Sequence, residues 1–174
     1  MNDLSYPIGR FTPPAEYTPA LRAAFIDDIA GLPVRLRAAV RNLTPDQLDT
    51  PYRDGGWTVA QVVHHVADSH INAFVRIKLA LTEYEPTIKP YYQGKWASLP
   101  DGSTVAIEDS LRIVDALHAR WTLMLGDMAP SDFSRVFVHP ERGPQTIDRN
   151  VAMYAWHGQH HAAHITSLRQ RKGW

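Results

Sequence analysis

Four of the nine histidines in this chain fall within eight residues, at His157, His160, His161 and His164, and three more form a second run at His64, His65 and His70. Both runs lie in stretches whose apolar residues recur at helical spacing. Histidine is a poor filler for a core and an ordinary metal ligand, so the pattern points to folds that set two helices face to face across an ion. Residues four apart on a helix lie one above the other. His157 with His161, or His160 with His164, could therefore present two imidazoles to one metal. The apolar side of the last helix runs through Val151, Tyr154, Ala155, Ala162, Ile165 and Leu168. At about 100° per residue, His157 and His161 flank that side, His164 lies further round and His160 nearly opposite. A site inside a bundle needs inward-pointing ligands, which favours His157 and His161. The other run offers His64 or His65 as a third ligand. A wheel does not separate these two, because apolar residues there cover more than half the circumference.

Three protein ligands with an open position are the catalytic pattern for zinc, and four closed ligands the structural one. The chain has no cysteine, which excludes thiolate ligands, disulfides and a cysteine nucleophile. A nitrogen-rich site suits zinc, nickel, copper or iron. Isolated helical histidines are usually packing or surface residues, and that reading is expected for His70, His118, His139 and His160. A di-iron carboxylate bundle needs Glu-x-x-His, and the last helix contains no glutamate; His-Glu-x-x-His is absent as well. Lys and Arg number 18, as do Asp and Glu, and no basic patch points to nucleic acid or a membrane surface. No apolar run reaches the roughly 18 residues of a membrane span, and the first residues lack a leader pattern. The expected location is the cytoplasm.

At 174 residues the chain suits one domain, 1–174, with enough length for a sizeable core. Pro7, Pro13 and Pro14 make residues 1–18 an extended arm, and such an arm needs something to lie on. Residues 19–43 read as a helix that Pro33 should kink or restart. Thr44-Pro45-Asp46-Gln47 starts a short helix with a capping box. Asp54-Gly55-Gly56 marks a turn, after which Thr58 can cap a helix to about Glu83. Residues 86–104 read as a long loop. Its Tyr91, Tyr92, Trp96 and Leu99 could cover the mouth of a site or pack over the end of the bundle. A helix over 106–128 follows, then a short turn, a small hairpin between Arg135 and Ile147, and a last helix ending at Gly173. Four long helices with one long crossover make an all-α four-helix bundle.

Several segments together carry a resemblance: Leu4-Ser-Tyr-Pro-Ile-Gly9, Leu48-Asp-Thr-Pro-Tyr-Arg-Asp-Gly-Gly-Trp-Thr58, Val62-Val-His-His-Val-Ala-Asp-Ser-His70, Arg76-Ile-Lys-Leu-Ala-Leu-Thr-Glu83, His118-Ala-Arg-Trp121 and Trp156–Ile165. Over nearly its whole length the chain resembles the DinB/YfiT-like superfamily, and within it the YfiT-type metal-dependent hydrolases. The resemblance implies an antiparallel four-helix bundle, commonly a homodimer, with one divalent metal per chain, zinc or nickel, on three histidines. One of these stands eight residues after a tryptophan, here Trp57 and His65. The other two are four apart on the last helix, here His157 and His161, and His161-Ala-Ala-His164-Ile165 fits that register. A shift to His160 and His164 is the alternative.

The resemblance implies a hydrolase for a small molecule, in which a metal-bound water ionises near pH 7. Relatives that transfer bacillithiol or mycothiol make a low-molecular-weight thiol S-transferase the alternative, with the thiol held as thiolate. A third reading is a non-catalytic metal-binding or dimeric interaction module, closed by a fourth ligand such as His64 or His164. No catalytic residue is assigned: none of the five glutamates, Glu16, Glu83, Glu85, Glu108 and Glu141, stands near the histidines. Asp68 reads as a supporting residue, and Arg53, Arg76 and Arg120 could meet an anionic substrate.

Overall fold

A computed structural model describes residues 3–174; the first two residues of the expected 1–18 arm lie outside the described residues. The elements follow the punctuation of the sequence. Thr18 caps α1 (Pro19–Val40), and Thr44 with Gln47 forms the capping box of α2 (Pro45–Leu48). Thr58 and Gln61 form the same box on α3 (Val59–Thr82), satisfying two of the helix's unpaired N-terminal donors. The crossover contains two single-turn helices, α4 (Gln93–Trp96) and α5 (Pro100–Ser103), where the sequence suggested loop alone. Then come α6 (Ile107–Asp127), a 3-10 turn at Pro130–Ser134, and an antiparallel hairpin of β1 (Val136–His139) and β2 (Gly143–Thr146). Thr146 caps α7 (Ile147–Lys172), which stops at Gly173 in the left-handed conformation (φ 72°) that favours glycine.

Of the expected kink or restart at Pro33, the restart does not occur, since α1 runs through it. Proline has no N–H to give the carbonyl four residues back, that of Ile29. This carbonyl instead accepts from His118 Nδ1 on α6, at 2.6 Å. A partner 89 residues away replaces the lost helical bond.

The four long helices form the expected all-α bundle, and contacts along them fix its directions. Arg37 of α1 meets Glu108 and Asp115 near the start of α6, while Ile29 meets His118 further along, so these two helices are antiparallel. Arg22 pairs with Asp148 and Arg169 reaches the Ala39 carbonyl, so α1 and α7 run parallel. His64 meets Ser110 and His70 meets His118, so α3 and α6 are parallel, as a long crossover allows. His65 faces His157, and Ser69 bonds Tyr154, so α3 and α7 are antiparallel. Each long helix thus has one parallel and one antiparallel neighbour.

Two apolar clusters fill the bundle. One gathers Phe74, Ile77, Trp121, Leu125, Phe137 and Tyr154; the other gathers Leu36, Val62, Val66, Leu111, Val114 and Ile165. Between them lie His70 on α3, His118 on α6 and the histidines of α7. The arm runs back along α7: Tyr6 lies by His160, Phe11 by Trp156, and Ser5 by His164. Among the described residues no helix is long and apolar enough to cross a membrane.

Candidate metal centre

His65 projects from the second turn of α3, and His157 and His161 project from one face of α7. The structure brings the three together: one ring nitrogen from each lies within 4.8 Å of the other two. His65 Nε2 and His157 Nε2 are 3.3 Å apart. Two nitrogens about 2.0–2.1 Å from a tetrahedral zinc stand about 3.3–3.4 Å from one another, so this pair already has the spacing of two ligands. The rings of His65 and His157 are 4.8 and 4.4 Å from that of His161. His65 and His161 are buried at 4% and 7% exposure, while His157 is partly accessible. Trp57 packs on His65 with ring centroids 4.6 Å apart.

Burial is the main reason these imidazoles stay neutral. It lowers His65 to about 4, with His160 and His164 adding to the effect, and lowers His157 and His161 well below the usual histidine value. Neutral imidazole is the ligating form, so the group is ready to bind a cation at pH 7.

A second group, His160, His161 and His164, also has nitrogens within 4.8 Å of each other. All three of its members are buried beneath the arm, and all come from one helix. His160, nearly opposite the apolar side on the wheel, packs: it is 6% exposed, stacked on Trp156 at 4.4 Å with Tyr6 on top. The arm, which a wheel cannot include, covers that side of the helix. His164 stacks on Tyr52 at 4.0 Å.

The structure sets His64 and His65 on different sides of α3, His65 alone lying with His157 and His161. His64 Nδ1 pairs with Ser110 Oγ at 2.8 Å, which holds it on the α6 side of α3. His70 and His118 do more than pack. His70 Nδ1 meets His118 Nε2 at 3.0 Å, and His70 Nε2 meets His157 Nδ1 at 3.1 Å. Nothing in their local sequence separates them from ordinary buried histidines. His139 is the packing residue expected, accepting from the Glu141 N–H.

The crossover lies against α3. Gln61 Nε2 donates to the Ala97 carbonyl at 2.9 Å, and Tyr91 packs on Trp96 with centroids 4.6 Å apart. Burial raises Tyr91 to about 12, with Ser69, Tyr154, Arg76 and Asp68 also acting on it. The crossover aromatics therefore flank the α3 face that also carries Ser69 and Asp68. Burial, with Asp101 adding to it, lifts the Asp68 carboxyl to about 6. Arg53 bonds Tyr52 and the Asp54 carbonyl, and Arg120 lies over Phe74.

Residues 29–165 match the family described as the DinB superfamily. A protein of Bacillus mycoides (strain KBAB4) is 51% identical over 174 residues, and one of Bacillus cereus (strain B4264) is 52% identical over 174 residues. Each alignment covers 100% of both chains, and each relative bears the name "Putative metal-dependent hydrolase". Among solved structures, YfiT from Bacillus subtilis, described as a probable metal-dependent hydrolase with an unusual four-helix bundle topology, superposes with a TM-score of 0.96. It is 45% identical, and the match covers 98% of each chain. The four-helix bundle protein TT2238 shares the fold alone, at 19% identity and a TM-score of 0.57 over 88% of this chain and 99% of its own.

Proposed function

The chain belongs to the DinB superfamily, and from that premise we propose that it acts as one domain, a metal-dependent hydrolase holding one divalent cation on His65, His157 and His161. The observation that carries this reading is the 3.3 Å approach of His65 Nε2 and His157 Nε2 from opposing helices, with His161 closing the group. These donors suit zinc or nickel. His157 is partly exposed, whereas every member of the sealed second group, His160, His161 and His164, is buried. His64 and His164, the candidates for a fourth ligand, lie outside the group of ring nitrogens formed by His65, His157 and His161.

When bound, the cation lowers the pKa of a coordinated water to roughly 7. The chain's own residues provide the rest of the setting. Burial keeps the three imidazoles neutral, and Trp57 packs on His65. The family resemblance supports a homodimer.

Metal content of untagged protein, measured by elemental mass spectrometry, tests the assignment. About one zinc or nickel per chain is expected, lost in His65→Ala, His157→Ala and His161→Ala and kept in His160→Ala. Loss in His160→Ala with retention in His65→Ala would move the cation to the sealed group. Absence of metal after reconstitution would reject the centre. Esters, amides and thiol conjugations form the substrate panel for the loaded protein.

A further inference from the structure

The α7 histidines sit at the ends of two hydrogen-bonded chains, and each chain begins at a backbone carbonyl. In the first, the Ile29 carbonyl meets His118 Nδ1 at 2.6 Å, His118 Nε2 meets His70 Nδ1 at 3.0 Å, and His70 Nε2 meets His157 Nδ1 at 3.1 Å. In the second, the Ser5 carbonyl meets His164 Nε2 at 3.3 Å, and His164 Nδ1 meets His161 Nδ1 at 3.4 Å.

A carbonyl oxygen can only accept, and a neutral imidazole has one donor nitrogen and one acceptor nitrogen. The proton on each ring then follows from the one before it. His118 must carry its proton on Nδ1 to donate to Ile29, so its Nε2 is an acceptor. His70 must in turn carry Nδ1–H, and so must His157, which leaves His157 Nε2 bare. That is the nitrogen facing His65 Nε2 at 3.3 Å. In the second chain His164 carries Nε2–H and accepts at Nδ1, so His161 carries Nδ1–H and its Nε2 is bare. Burial, the first cause in each case, lowers all five histidines below the usual value, which keeps the rings neutral as this deduction requires.

We propose that these two carbonyl-anchored chains fix the tautomers of His157 and His161, so that His70, His118 and His164 are positioning residues for the metal centre. Pro33 belongs to the first chain, because it is the missing N–H at Pro33 that frees the Ile29 carbonyl. The residues of the arm belong to the second through Ser5. Metal-binding histidines generally have the second ring nitrogen hydrogen-bonded, and that bond decides which nitrogen is free. Here it is made by further histidines and ends in backbone, with no carboxylate in either chain.

The proposal rests on the assignment of His157 and His161 as ligands, but its direct test does not need the metal. In metal-free full-length protein labelled with 15N-histidine, long-range proton–nitrogen correlation at neutral pH reads the tautomer of each ring. We expect Nδ1–H at His70, His118, His157 and His161 and Nε2–H at His164. A free histidine in water prefers Nε2–H, so four Nδ1–H rings would be a distinctive pattern. His118→Phe should release His70 and His157 toward Nε2–H while leaving His161 and His164 unchanged, and His164→Phe should affect His161 alone. In a chelator-competition titration, His118→Phe should weaken zinc binding by about 10–100-fold. His118→Gln should recover most of it, since its amide can donate to Ile29 and accept from His70.

Nε2–H at His70, His157 or His161 in the wild-type protein would overturn the proposal, whatever the variants do. So would unchanged tautomers in folded His118→Phe. The predicted tautomers together with zinc retention in His157→Ala would support the chains and reject the ligand assignment, which keeps the two failures distinct.

Discussion

Gly158, next in sequence to His157, faces Leu32 of α1 across the parallel α1–α7 contact. A Cβ there would come within 2.5 Å of Leu32 Cδ2 and 3.0 Å of Cδ1, and Leu32 is 1% exposed. Alanine would gain about 1 kcal/mol of helix propensity, but overpacking a closed contact costs about 1–3 kcal/mol. Gly158→Ala should therefore lower the free energy of unfolding by about 1 kcal/mol in all, read as a lower midpoint of chemical unfolding, and a raised midpoint would show that Leu32 can swing aside. At this scale the sequence was legible for the cluster and less so for its surroundings. Spacing and the helical wheel favoured His157 and His161 of the three side chains that meet, whereas His65 was separated from His64 only by the family resemblance. His70 and His118 could not be told from packing histidines, because their partners come from other helices. His160 was left as packing or surface, because its neighbours Tyr6 and Trp156 converge only once the arm is in place.

Helix limits were readable where a side chain caps a backbone. Thr18, Thr44, Thr58 and Thr146 all accept from an N–H in the first turn of the helix they open. Thr58→Ala should destabilise the protein by about 1 kcal/mol, and Thr58→Ser should restore most of it. Thermal unfolding would show this as a fall of about 2–4 °C for the alanine variant; equal midpoints would mean that Gln61 alone holds the start of α3. Two features were not readable. Single-turn helices such as α4 and α5 are too short to show a periodic pattern. The continuity of α1 through Pro33 depends on His118, which no local rule could supply.

For the whole molecule, pH is the most direct probe of the histidine layer. An unfolded histidine binds a proton near pH 6.5, whereas burial lowers His65, His160 and His164 to about 4 in the native state. The unfolded chain therefore binds more protons than the native one between about pH 6.5 and 4, and stability falls as pH falls through that range. Asp68 acts in the opposite direction: at about 6 in the native state, it takes up its proton before the unfolded chain does. Three protons against one leave a slope of roughly 3 kcal/mol per pH unit near pH 5, before His70, His157 and His161 add to it in the same direction. Metal-free protein should accordingly lose its cooperative unfolding transition between about pH 6 and 4, as followed by circular dichroism in a denaturant series. A flat profile over that range would mean that the histidine layer is open to water.

The arm has a consequence for biosynthesis. Ser5 and His164, which bond each other, are 159 positions apart, and α7 is both the seat of the arm and the source of two of the three clustered histidines. On a ribosome, α1, α3 and α6 are all made before α7 exists, so a nascent chain carries His65 with nothing opposite it. The arm likewise waits, unseated, through most of translation. The three-histidine group is thus complete only once α7 has been made, and a chain cut short before α7 would keep His65 without either of its partners.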